Sequence, residues 1–212
     1  MALNYRILFF AVFTSIILGS IGFIFWQQEY KFTLPTPKPA NLIQLNAGDT
    51  VDAPLPFKLA KKTYIHFYNY DCPCSRFNIK EFQSLVKKFS SEVEFIAILN
   101  TKSDDQSAIN RFKHKYDLGI TTIIDKDGSI ARSLGVYSTP QAVLLSERTI
   151  YYKGNYNKAR FCLSKNTKFA EQALIALVDD EPPPVFPSIA VISYGCELPS
   201  NTSNQKSLFN LF

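Results

Sequence analysis

Cysteine is scarce in this 212-residue chain: four residues, all beyond position 70, too few to build a small fold from disulfides alone. Histidine is scarcer still, with His66 and His114 the two examples. Charge of one sign is also in short supply. The formal balance is +5, charged residues make up 19 %, and no dense Lys/Arg stripe exists of the kind that binds nucleic acid. The 46 % hydrophobic and 14 % aromatic content excludes a disordered chain, while the mixture of polar residues excludes a protein of many membrane spans. No internal repeat is present. The length suits one domain plus extra segments at its ends.

Ile7 to Trp26 is an uncharged run of 20 residues, which as a helix reaches across about 30 Å of hydrocarbon. Arg6 precedes it, and Gln27, Gln28 and Glu29 follow. The positive-inside bias, resting on Arg6 and the amino terminus, therefore places the short N-terminal end in the cytoplasm and the body outside. A cleaved signal peptide is the competing reading. Its cleavage site wants small residues at the last and third-last positions, but a cut after Ser20 meets Leu18, and the run exceeds a usual signal core. An uncleaved anchor over residues 1–30 is the expectation. Removing that segment takes away Arg6 and Glu29 and leaves the balance at +5.

Prolines at 35, 37 and 39 favour extended chain, so 31–54 reads as a spacer. A strand is expected over the apolar TYIHFYN from Thr63, then a helix from about Ser75 to Phe89 with Phe77, Phe82, Leu85, Val86 and Phe89 along one face. A strand at Val93–Leu99, a helix at Asp104–Tyr116, a strand at Ile120–Ile124 and a short helix at Ser129–Leu134 follow, with Asp127-Gly128 as a turn. Strands at 141–145 and 148–154 pair as a hairpin across Ser146-Glu147, and a last helix runs from about Thr167 to Val178. The alternation specifies an α/β fold, a central mixed sheet flanked by helices over 55–180. Glu181 and three prolines then open a C-terminal extension, 181–212, with a β-like IAVISY run, Cys196 and a polar tail from Asn201.

The string His66-Phe67-Tyr68-Asn69-Tyr70-Asp71-Cys72-Pro73-Cys74-Ser75 carries the chemistry. Two cysteines sit after a strand and at a helix start, where orphan backbone N–H groups and the helix dipole stabilise negative charge. A thiolate is the attacking species in disulfide exchange, so a redox nucleophile belongs there. Asp71 reads as the helix N-cap.

This Cys-Pro-Cys segment, with the later Asp-x-x-Gly-x-x-Ala-x-x-Leu-Gly-Val-x-x-Thr-Pro of Asp125 to Pro140, resembles the thioredoxin superfamily. The resemblance covers about 55 to 178 and points to the membrane-anchored redoxins of Gram-negative bacteria that work on periplasmic thiols. It implies that Cys72 is the nucleophile, that Thr139 and a cis Pro140 face it and pair with substrate backbone, and that His66 stands where many thioredoxins keep a proton-shuttling acid. His66 also fits an ordinary core histidine, because it alternates with Ile65 and Phe67. The sequence departs from the family in spacing, since only Pro73 separates the cysteines and Ser75 takes the usual second place. A Cys72–Cys74 bond closes a small, strained ring, which favours disulfide donation or isomerisation over reduction.

The expected activity is thus thiol–disulfide exchange with protein thiols or disulfides at the outer face of a bacterial inner membrane, without a cofactor and without nucleic acid. A Cu(I) metallochaperone using Cys72 and Cys74 is the alternative. A peroxidase is disfavoured because Asn69 stands where a peroxidatic motif has threonine. Cys162 and Cys196 read as a structural disulfide fastening the extension to the domain, or one of them as a resolving thiol for Cys72.

Overall fold

The computed structural model describes residues 2–28, 30–101, 106–158 and 167–201. Cys162 and the tail beyond Asn201 lie outside the described residues. The chain divides into two compact units, Met1–Leu34 and Pro35–Phe212.

In the first unit, helix α1 (Ala2–Gln28) is followed by a short 3-10 turn, Tyr30–Thr33. The stretch Asn4–Gln28 is long and apolar enough to cross a membrane. Its two serines return their hydroxyls to the helix, Ser15 Oγ to the Ala11 carbonyl and Ser20 Oγ to that of Ile16, each at 2.8 Å. Such bonds satisfy polar atoms where no water is at hand.

The second unit is built on a five-stranded sheet in the order β3-β2-β1-β5-β6. Strands β1 (Lys62–Tyr68), β2 (Glu94–Leu99) and β3 (Thr121–Ile124) are parallel, and β5 (Gln141–Ser146) and β6 (Thr149–Gly154) continue the sheet antiparallel. The interleaved helices are α2 (Pro73–Phe89), α3 (Gln106–Tyr116), α4 (Ser129–Ser133) and α5 (Phe169–Val178). A separate two-stranded ribbon joins β4 (Ser138–Thr139) to β7 (Cys196–Glu197).

Strand β1 shows why the sheet is covered on both faces. Its alternate residues feed two cores. Tyr64 and Tyr68 join Phe82, Phe95, Phe112 and Phe169 on one face, while Ile65 and Phe67 join Ile96, Ile98, Leu134 and Val143 on the other. All of these side chains are buried, and each contributes about 1.5 to 3 kcal/mol by leaving water. The expected mixed sheet with flanking helices is the observed one.

Several boundaries differ from expectation for local reasons. Helix α2 begins at Pro73, the first helical position, where a missing N–H costs nothing. The β5–β6 turn is made by Glu147 and Arg148 instead of Ser146-Glu147, with Glu147 at φ 54°. The IAVISY run, read as β-like, forms the one-turn helix α6 (Ser188–Val191) and then an irregular stretch. From Pro35 onward, the segment read as a spacer belongs to the folded unit. Pro35 bridges Tyr194, Thr50 bridges Thr149, and Val51 is buried in the second core. Extended proline-rich chain lacks internal hydrogen bonds and is well suited to this edge pairing.

Candidate active site

Cys72 ends the loop after β1 and is itself the N-cap of α2. Asp71, expected in that role, lies one residue outside. Its backbone N–H instead donates to Asn69 Oδ1 at 2.9 Å, and the Cys72 N–H donates to the Asn69 carbonyl at 3.2 Å. This Asn69-centred turn aims the Cys72 sulfur at the loop carrying Pro140. The Thr139–Pro140 peptide is cis, and the Thr139 carbonyl oxygen lies 3.3 Å from Cys72 Sγ. Two segments separated by 67 residues thus meet at a helix N-terminus, where a thiolate is stabilised.

Cys72 is bonded to Cys196, 124 positions away, with Cα atoms 5.8 Å apart. This corrects two expectations. Cys196 is not the partner of Cys162, because its sulfur is taken by Cys72. Nor is Cys72 joined to Cys74, which remains a buried thiol. Cys74 lies in the first turn of α2, and the Cys72 sulfur is bonded instead to the cysteine carried by β7. The three sulfurs of Cys72, Cys74 and Cys196 nevertheless lie within 4.8 Å of one another.

Cys196 reaches the site on β7, which pairs antiparallel with β4 in the register Ser138↔Glu197 and Thr139↔Cys196. Gly195 makes this approach possible, since a Cβ there would collide with the Thr139 carbonyl oxygen. Around it, Gln141 Nε2 donates to Ser193 Oγ at 2.5 Å, and the Thr36 N–H donates to the Ser193 carbonyl at 2.8 Å. Asn155 Nδ2 donates to the carbonyls of Ile189 and Ile192 at 2.8 and 2.6 Å. Under this strap Cys72 has no exposed surface, whereas Cys196 is half-buried.

His66 is fully buried on the α2 side of the sheet. Its Nδ1 is 2.6 Å from the Tyr156 hydroxyl, and its ring stacks on Phe82 with centroids 4.2 Å apart. Burial pushes its pKa down to about 3, because the imidazolium would lose its hydration. Burial and the stacking on Phe82 set His66 in the core on that face of the sheet.

Sequence reasoning missed Gly195, Asn155 and Ser193. Gly195 next to the β-like IAVISY run was a usable signal, since a glycine within a strand often marks a bulge or a close backbone approach. What it approaches depends on tertiary contact alone.

A parallel β1–β2–β3 half-sheet, an antiparallel hairpin, and a cis-proline facing a cysteine at a helix N-cap define a thioredoxin-like protein. The chain belongs to the family described as Domain of unknown function (DUF6436), which matches residues 44–197. It is also 27 % identical over 148 residues to the thiol-disulfide oxidoreductase ResA of Bacillus thuringiensis subsp. konkukian, covering 67 % of this chain and 83 % of that one. An uncharacterized conserved protein from Geobacillus kaustophilus shares the fold at a TM-score of 0.59 and 18 % identity, over 76 % of this chain and 91 % of that one. A hypothetical protein from Sinorhizobium meliloti does so at 0.56 and 20 %, over 76 % and 97 %.

Proposed function

We propose that the protein is a thiol–disulfide oxidoreductase, anchored by α1 in a bacterial inner membrane with its folded unit in the periplasm, and acting on protein thiols or disulfides as an oxidase or isomerase. The observation that carries this reading is the Cys72 sulfur at the N-terminus of α2, 3.3 Å from the carbonyl of Thr139. The helix terminus stabilises the Cys72 thiolate both as nucleophile and as leaving group. A stable leaving thiolate makes a disulfide easier to reduce, which favours donation of the bond. Pro140 shapes the groove and keeps the Thr139 carbonyl turned toward the sulfur. His66 supports α2 through Phe82. The apolar helix near the N-terminus supports anchoring, and Arg6 before it supports the outward orientation.

The test is exchange with a scrambled or reduced model protein, using full-length protein in detergent micelles. Turnover that disappears in Cys72→Ser is the expected result, and turnover unchanged in that variant would defeat the proposal.

A second reading rests on the three clustered sulfurs. When reduced, Cys72, Cys74 and Cys196 offer a soft donor set of the kind Cu(I) takes. Anaerobic titration of the reduced protein with Cu(I) separates the readings, since stoichiometric binding without exchange activity would favour metal handling.

A further inference from the structure

Strand β4 is two residues long, and among the described residues its partner is β7 alone. The edge that β7 covers is open backbone beside a nucleophilic sulfur. Such an edge accepts an extended polypeptide by adding it as a strand, with main-chain hydrogen bonds supplying the affinity. What occupies it here is a segment of the same chain, with a cysteine at the position facing Thr139 and a bond from that cysteine to Cys72. The arrangement has the form of a captured peptide disulfide.

We propose that Cys196 is the resolving cysteine of Cys72, and that the strand carrying it is a tethered stand-in for a substrate peptide, competing with the partner polypeptide for the same edge. The proposal deepens the thiol–disulfide reading given above and rests on it.

The chemistry balances in two steps. The Cys72 thiolate attacks a partner disulfide while β7 is off the edge. One partner sulfur becomes bonded to Cys72, and the other leaves as a thiolate that takes a proton from water. The Cys196 thiolate then attacks Cys72 Sγ, the Cys72–Cys196 bond forms, and the second partner sulfur leaves as a thiolate and is protonated. The partner has gained two electrons and two protons, and the protein dithiol has lost them. Run backward, the same steps oxidise a partner dithiol. Because β7 and the partner strand need the same Ser138–Thr139 edge, closing the intramolecular bond also evicts the product.

Three observations favour Cys196 over Cys74 as resolver. Cys72 is bonded to Cys196. Cys74 stays a thiol, buried in the first turn of α2, although its sulfur lies within 4.8 Å of that of Cys72. Gly195 leaves room for the strap to come down on Thr139.

The test uses the reduced full-length protein in detergent, mixed with oxidised glutathione, following release of the first and second glutathione and mapping the product. Wild type and Cys74→Ser are expected to release both and to end with Cys72 bonded to Cys196. Cys196→Ser and Cys196→Ala are expected to stop at glutathionylated Cys72, with the second release slowed about tenfold or more for want of a tethered thiol. Far-UV circular dichroism matching wild type shows that these variants are folded. Second release at the wild-type rate in the Cys196 variants, with a Cys72–Cys74 bond mapped, would overturn the proposal while leaving the redox reading intact. Failure of Cys72 to take up glutathione in wild type would remove that reading and this proposal together.

Discussion

His66 Nδ1 and the hydroxyl of Tyr156 form a hydrogen bond of 2.6 Å across the buried face of the central sheet. The bond joins β1 to the loop after β6, and the ring beside it is kept neutral by burial. Because the pKa is depressed in the fold, the stabilising effect of a neutral His66 is complete above about 6.5, the unfolded value. It is lost as pH falls toward 3, since the unfolded chain takes up the proton first. Against His66→Phe, wild type is expected to lose about 1.4 kcal/mol of stability per pH unit over that window. Denaturant titrations at pH 7, 6, 5 and 4 check it, and parallel curves for the two proteins would exclude His66 as the titrating group.

Asn155 holds the extension at three places, through the Ile189 and Ile192 carbonyls and the Tyr194 N–H. Asn155→Ala removes the shared side chain and leaves these half-buried backbone groups without it, at a cost of about 1 to 3 kcal/mol. Limited proteolysis should then cut within 185–195 faster than in wild type, with cleavage elsewhere unchanged.

Gly195→Ala places a methyl group against the Thr139 carbonyl oxygen. The reduced variant is expected to alkylate at Cys72 several-fold faster than reduced wild type, because the strap no longer seats. Mass spectrometry after timed N-ethylmaleimide treatment reads this directly. Equal rates would show that β7 is already off the edge in the reduced protein.

Asp125 is a buried carboxylate that accepts from the backbone of Ile130 at 3.1 Å and Ala131 at 2.9 Å, and from Asn100 Nδ2 at 3.2 Å. Burial raises its pKa, and the two backbone donors oppose the rise. Asp125→Ala leaves three donors without an acceptor, and a loss of about 3 kcal/mol is expected. The melting temperature should fall, and Asp125→Asn should recover part of the loss through its carbonyl oxygen.

The fold could be read from the chain because its signals are local. Alternation in β1, the apolar row of α2 and the Asp127-Gly128 turn each depend on near neighbours, and together they specify strands alternating with helices around a mixed sheet. The meeting of Cys72 with Thr139-Pro140 was legible only through the resemblance to the thioredoxin superfamily, which implied it. The partner of Cys196 was not. Four cysteines allow three complete pairings, and the choice turns on where the chain after Glu181 folds back, which depends on Asn155, Gln141 and Thr36 acting from distant places. The role of Asp71 was misread for a smaller reason: the helix starts at Pro73, which puts Cys72 in the N-cap position.

The bond between Cys72 and Cys196 spans 124 positions, and closing a loop of that length lowers the entropy of the unfolded chain by about 5 kcal/mol at room temperature. Around a thermodynamic cycle, the same quantity must appear on the other side: the folded chain holds the bond more tightly than the unfolded chain does, by as much as the bond steadies the fold. This works against the ease of reduction that the helix terminus gives Cys72. Electrons entering this disulfide therefore draw on the conformational stability of the whole unit.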